Sequence, residues 1–179
     1  AERLGLRVFD KPDSQEICFV KKDYGAFVKQ YSPQRLPGPG TFVDREGRPM
    51  GSHEGSHLFT IGQRKRIRLT RETPYFVTAI KPETNEVVIG SENDLFVSEM
   101  TVRRVNWHLN PRTGPMKVKI RSRHEKTRAE IISCDAQEVR VRFDEPQKAV
   151  TPGQAAVFYQ DERVLGGGWI YQAPVLVPA

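Results

Sequence analysis

Period-2 alternation of apolar and charged residues dominates the last third of the chain. Met116, Val118 and Ile120 alternate with Lys117, Lys119 and Arg121, and Val139, Val141 and Phe143 alternate with Arg140 and Arg142. Each run predicts a strand with one face in a core and the other positive. Ala129–Cys134, Ala155–Tyr159 and Arg163–Tyr171 supply further strands. Upstream, Thr41–Val43 precedes an Asp44–Gly47 turn, and Leu58–Ile61 reads as another short strand. Tyr75–Ile80 and Glu86–Ile89 flank a Lys81–Asn85 turn, which predicts a β-hairpin. A short helix is predicted over Lys22–Gln30, with Tyr24, Phe27, Val28 and Tyr31 near one face. Strands this short and this closely spaced argue for a small antiparallel barrel or sandwich. Ser98–Met116, with Asn110-Pro111 and Gly114-Pro115 turns, reads as the stretch where a second β unit begins.

Composition narrows the classes. With 179 residues the chain has room for one ordinary domain or two small ones. No window approaches ~18 consecutive apolar residues, so no membrane helix is expected. The first twenty residues lack the apolar core of a signal peptide. The opening residue is Ala1, as expected of a fragment, a processed chain or an engineered one. Two cysteines, Cys18 and Cys134, build neither a disulfide framework nor a zinc site of usual spacing. A cytoplasmic, reducing compartment is expected.

Charge adds a partner class. Lys and Arg number 28 against 22 Asp and Glu, for a net charge of +6. Between Arg103 and Arg128 nine residues are basic and one, Glu125, is acidic; between Arg64 and Arg71 five of eight are basic. Such clusters are the footprint of a polyanion partner or a solvated basic face.

Few residues invite catalysis. Gly166-Gly167-Gly168 lies in an apolar strand pattern, and predicts a bulge or close backbone contact rather than a phosphate loop. His53 and His57 share a helix spacing, but Gly51 and Gly55 flank them, so a loop is expected in place of a metal-binding helix. Cys134, alternating with Ile132, reads as a structural thiol. Cys18 sits beside a turn with Lys21 and Lys22 close by, and cations favour the nucleophilic thiolate. From its context alone it is either a structural thiol or a reactive one.

Longer motifs carry a resemblance. Asp13-Ser14-Gln15-Glu16-Ile17-Cys18-Phe19-Val20 is followed by Pro37-Gly38-Pro39-Gly40, Gly51-Ser52-His53-Glu54-Gly55 and Phe59-Thr60-Ile61-Gly62-Gln63-Arg64-Lys65. Asn106-Trp107, the Pro146–Tyr159 run and Val164–Ile170 complete the series. In this order and over nearly the whole chain they resemble the tRNA-specific 2-thiouridylases. The resemblance implies a mainly β protein: a remnant of a PP-loop ATPase domain and linker over 1–24, a small central β domain over 25–97, and over 98–179 a C-terminal antiparallel β-barrel like domain 2 of elongation factor Tu.

In that family the wobble uridine (U34) of tRNA is thiolated by a cysteine persulfide after ATP-dependent adenylation. Cys18 matches the persulfide carrier. ATP and the second catalytic cysteine belong to the N-terminal domain, so no cofactor or metal is expected in this chain, which alone should be inactive. Arg121, Ser122 and Gln154 match tRNA-contacting positions. Lys119, Arg123, Arg64 and Lys65 join them as expected tRNA-binding residues, although phosphate contact and structural packing remain open for Arg64 and Lys65. The expected partners are tRNA and a persulfide-carrying sulfur donor protein, with no membrane and a monomeric chain. Two departures stand out. Arg66-Ile67 replaces the family's Gly-Leu after Lys65, and Ser122 stands where an aromatic is common. The rival readings are a stand-alone RNA-binding β-barrel module and a structural or protein-interaction module.

Overall fold

The computed structural model describes residues 24–32, 36–67, 69, 74–108, 113–122, 124–135 and 137–173. The chain divides into two compact units, Ala1–Leu36 and Pro37–Ala179. Among its described residues the first contains one helix, α1 (Tyr24–Tyr31), in which the rings of Phe27 and Tyr31 meet at 4.5 Å between centroids. Spacing by four residues places them on one helix face, as the sequence predicts.

The described residues of the second unit are mainly β, with two short 3₁₀ turns. Strands β1 (Gly40–Val43), β2 (Pro49–His53), β3 (Phe76–Lys81) and β4 (Glu86–Gly90) form a mixed sheet in the order β2-β1-β4-β3, with β1 and β4 parallel. Strands β5 (Phe96–Trp107), β6 (Gly114–Lys119), β7 (Thr127–Cys134), β8 (Glu138–Lys148), β9 (Ala155–Gln160) and β10 (Arg163–Gln172) close a barrel in the order β10-β5-β8-β7-β6-β9. All six barrel pairings are antiparallel. Closure leaves the barrel no open edge.

The period-2 pattern explains the barrel. Met116, Val118, Val139, Val141 and Phe143 point inward and meet Met100, Val102, Ala156 and Phe158. Full burial of such side chains contributes about 1.5–3 kcal/mol each. Exposed ion pairs contribute about 0–1 kcal/mol, so the apolar interior holds the fold and the pairs shape the surface charge. A smaller core of Phe42, Phe59, Val77, Val87 and Ile89 serves the mixed sheet. Gly166 and Gly168 behave as expected. A Cβ on Gly166 would lie 2.6 Å from the Asn106 carbonyl, and one on Gly168 would lie 2.6 Å from the Arg103 carbonyl, so glycine permits β10 to approach β5.

Four local readings are corrected. Leu58–Ile61 is not a strand: Ser56–Leu58 forms a single 3₁₀ turn, and Gln63 N–H closes a turn on the Thr60 carbonyl at 2.9 Å. Its apolar character serves to insert Phe59 edge-on against Phe42, at 5.2 Å. The segment before it, expected as loop, is strand β2 as far as His53. Ser98–Met116, read as turn-rich, is mostly strand, because β5 runs unbroken from Phe96 to Trp107. Finally, Cys134 reaches the barrel core without sharing a face with Ile132. A register shift between Ile131 and Ser133 inverts the alternation, so the thiol packs where regular pleating would put it outside.

Candidate nucleic-acid interface

Strand β6 delivers Arg121 to the start of a turn, where His124 N–H donates to the Arg121 carbonyl at 3.1 Å. The guanidinium is held from two sides. Its Nε donates to Gln154 Oε1 at 3.3 Å, and its Nη2 donates to the Ala149 carbonyl. Thr151 Oγ1 donates to that same carbonyl at 2.9 Å. Ala149 has φ +53°, a left-handed conformation uncommon outside glycine, and its N–H donates to the Leu95 carbonyl at 2.8 Å.

The segment that follows places Gln154. Gly153 takes φ +86°, which its lack of a Cβ permits. Gly153 N–H donates to the Ile170 carbonyl, and Ile170 N–H donates to the Gln154 carbonyl, both at 2.8 Å. The backbone on either side of Gln154 is therefore pinned to β10, and its side chain meets Arg121 from a fixed base.

The Gly62–Lys65 turn reaches the same place. Gly62 N–H donates to the Val77 carbonyl at 2.8 Å, and Val77 N–H returns a bond to the Gln63 carbonyl at 2.9 Å. The Gln63 side chain accepts from Thr60 N–H and donates to the Lys65 carbonyl at 2.8 Å. A Cβ on Gly62 would lie 3.0 Å from the Ala149 Cβ, so this turn rests on Ala149. Arg64 and Lys65 are exposed on it. Arg66 occupies φ +73°, a conformation that suits the glycine common at this point of the resembled family.

Among the sequence-predicted residues, Arg121 and Gln154 are thus in contact, and the turn carrying Arg64 and Lys65 abuts the same Ala149. Ser122 is exposed beside Arg121, and Lys119 is half-buried in β6 opposite Val157. Cys18 and Arg123 lie outside the described residues.

Surface cations elsewhere are largely paired. Arg140 and Arg142 share Glu99 at 3.3 and 3.0 Å, Arg103 meets Glu138 at 3.1 Å, Lys126 meets Glu162 at 2.8 Å, and Lys148 meets Glu92. Lys119 and Arg121 make no ion pair among the described residues. The Arg121 guanidinium has five N–H donors, and its two internal bonds use two of them. A planar fork oriented by two neutral acceptors is suited to a phosphate oxygen.

Other chemistry finds little support. His53 is only 7% exposed, with its ring near Phe42 and Phe59. Its Nδ1 accepts from Gly55 N–H at 3.1 Å, which puts the neutral ring's proton on Nε2. Burial pushes the His53 imidazole below its usual value. No group of three or more His, Cys, Asp or Glu among the described residues is placed to hold a metal. The Cys134 thiol is pushed up, first by burial and then by the Asp135 carboxylate, so it is protonated at neutral pH. The glycine run of β10 packs closely against β5 and β9 and forms no cradle for nucleotide phosphates. No helix among them is long and apolar enough to cross a membrane.

Comparison with known proteins identifies the two β modules. Residues 25–91 match a family described as a tRNA methyl transferase PRC-barrel domain, and residues 97–170 match an aminomethyltransferase β-barrel domain. The chain is 44% identical over 174 residues to the tRNA-specific 2-thiouridylase MnmA of Lachnoclostridium phytofermentans, covering 95% of this chain and 48% of the relative. It is 42% identical to the protein of that name from Clostridium kluyveri, with 95% and 49% coverage. The pair of β modules thus defines the C-terminal domains of a tRNA-modifying enzyme class. The chain carries the PRC-barrel and β-barrel modules, is homologous over 95% of its length to the tRNA-specific 2-thiouridylases it matches, and spans about half the length of those curated relatives.

The His53 environment predicts a pH dependence. Its folded pKa lies below the unfolded value of about 6.5. Below that pH the unfolded chain takes up a proton that the folded one refuses, so stability falls with acidification until the folded pKa is reached. Thermal unfolding should show a decline from pH 6.5 downward, with a slope of at most about 1.4 kcal/mol per pH unit from this group. His53→Gln should flatten that slope; an unchanged slope would contradict the assignment.

Proposed function

We propose that this chain is the sulfur-carrying and tRNA-gripping part of an enzyme that 2-thiolates the wobble uridine (U34) of tRNA. The observation that carries the reading is the Arg121–Gln154 contact built on Ala149, at positions that the family resemblance assigns to tRNA. Ser122, Lys119 and Arg123 neighbour Arg121 in sequence, Arg64 and Lys65 lie on the turn that rests on Ala149, and in this reading all five add phosphate contacts.

Cys18 is the persulfide carrier in this reading. Its terminal sulfur, received from a sulfur donor protein, attacks the activated C2 of the uracil and displaces the oxygen-bound leaving group. A second thiol then cleaves the S–S bond and closes a disulfide with Cys18, which leaves sulfur on the base. Activation by ATP and the second cysteine are assigned to residues outside these 179. The enzyme acts in the cytoplasm on soluble tRNA, as a monomer, and this chain alone does not complete the reaction.

Two measurements test the reading. Binding of tRNA should weaken with salt, and Arg121→Gln should reduce the log–log slope by roughly 0.7–0.9, the value for one phosphate contact. Arg140→Gln should change it much less, because Glu99 already engages that arginine. Equal effects would argue against Arg121 as a specific contact. Iodoacetamide near neutral pH should label Cys18 well before Cys134. Equal rates would favour an RNA-binding module in which Cys18 is incidental.

A further inference from the structure

A cleft of about 620 Å³ lies on the outer face of the barrel where β5 meets β10. Two consecutive arginines line it, which regular pleating forbids, since neighbours on a strand point to opposite faces. The pairing explains the exception. Gly167 faces Asn106 and Trp169 faces Arg103, so two residues of β5 oppose one of β10. Within this bulge Arg104 takes φ +53°, a conformation that costs a non-glycine residue energy and that re-aims its side chain. Arg104 thereby joins Arg103 on the cleft.

The opposite wall is aromatic. Trp169 is 54% exposed and Tyr171 is 52% exposed, two residues apart on β10. The Arg103 guanidinium lies 3.4 Å from the Tyr171 ring centroid and also binds Glu138, so Tyr171 already has a stacking partner. Trp169 has none among the described residues. The other tryptophan, Trp107, stacks on Phe158 at 5.4 Å against the barrel core. One tryptophan therefore serves packing, and the other presents its ring to solvent beside an exposed arginine.

Pro152 and Gly153 also line the cleft, and Gly153 is bonded to Ile170 beside Gln154. The cleft thus ends one residue along the chain from Gln154, the partner of Arg121. We propose that it binds one unpaired nucleotide of an RNA, with the base stacked on Trp169 and a phosphate on Arg104. The inference rests on the RNA-binding reading given under Proposed function and adds a subsite to it. A nucleotide supplies both a π-face and a negative charge, which match the two walls. A second copy of the chain would bring its own net charge of +6 against these arginines.

Intrinsic tryptophan fluorescence of the full chain tests this. The probes are an RNA stem-loop with an unpaired loop and a blunt RNA duplex of equal length. The stem-loop should quench Trp169 and the duplex should not. Trp169→Ala should weaken stem-loop binding roughly 5- to 150-fold and abolish the quench, with duplex binding unchanged. Trp169→Phe should retain most of the affinity, and Arg104→Gln should lower the salt slope by roughly 0.7–0.9. Trp169 is on the surface, and far-UV circular dichroism checks that its variants fold. If Trp169→Ala binds the stem-loop like the parent while Arg121→Gln binds it weakly, the nucleotide cleft is wrong and the RNA-binding reading stands. If neither RNA binds the parent chain, both fail. If sedimentation shows that Trp169→Ala removes only a self-association, the cleft is a protein interface and the proposal is overturned.

Discussion

The Ala149 peptide group sits where three parts of the chain converge. Its N–H is bonded to Leu95 at the exit of the mixed sheet, and its carbonyl receives both Thr151 and Arg121. The left-handed φ of Ala149 turns these two groups in the required directions. The turn at Gly62 packs on its methyl group. Much of the cationic surface depends on this arrangement, because an arginine oriented by fixed acceptors loses less conformational entropy on meeting a phosphate than a freely moving one.

Charge location matters more here than charge total. The surplus of +6 counts every cation alike. The fold then divides them. Glu99 engages two arginines of β8, and Glu138, Glu162 and Glu92 each engage one cation. Near Arg121 no carboxylate plays that part among the described residues. The two alternating strands that look equivalent in sequence, β6 and β8, therefore differ in the potential they present.

Legibility followed the physics of each element. Strands β6 and β8 were plain because alternation is the direct consequence of a one-sided core. Strand β2 was hidden: Pro49, Gly51 and Ser52 offer no alternation, and only pairing with β1 makes the segment a strand. The length of β5 was hidden by Arg103 and Arg104, whose adjacency reads as loop until the bulge is seen. The alternation with Ile132 does not explain the burial of Cys134, since the bulge in β7 sets its face. Arg121 and Gln154 are 33 residues apart and share no local pattern, so residue-level reasoning could not pair them. Only the family resemblance links them in sequence, and Trp169 is hidden because an apolar residue in a strand reads as core.

The central claim is that Arg121 and Gln154 act as one unit in gripping tRNA. A double-mutant cycle on tRNA affinity, with Arg121→Gln, Gln154→Ala and both together, tests it most directly. The account predicts that the combined loss falls short of the summed single losses by about 0.5–1.5 kcal/mol, as expected for a shared hydrogen bond. Losses that add within about 0.3 kcal/mol would mean that the two side chains work independently, and would contradict it.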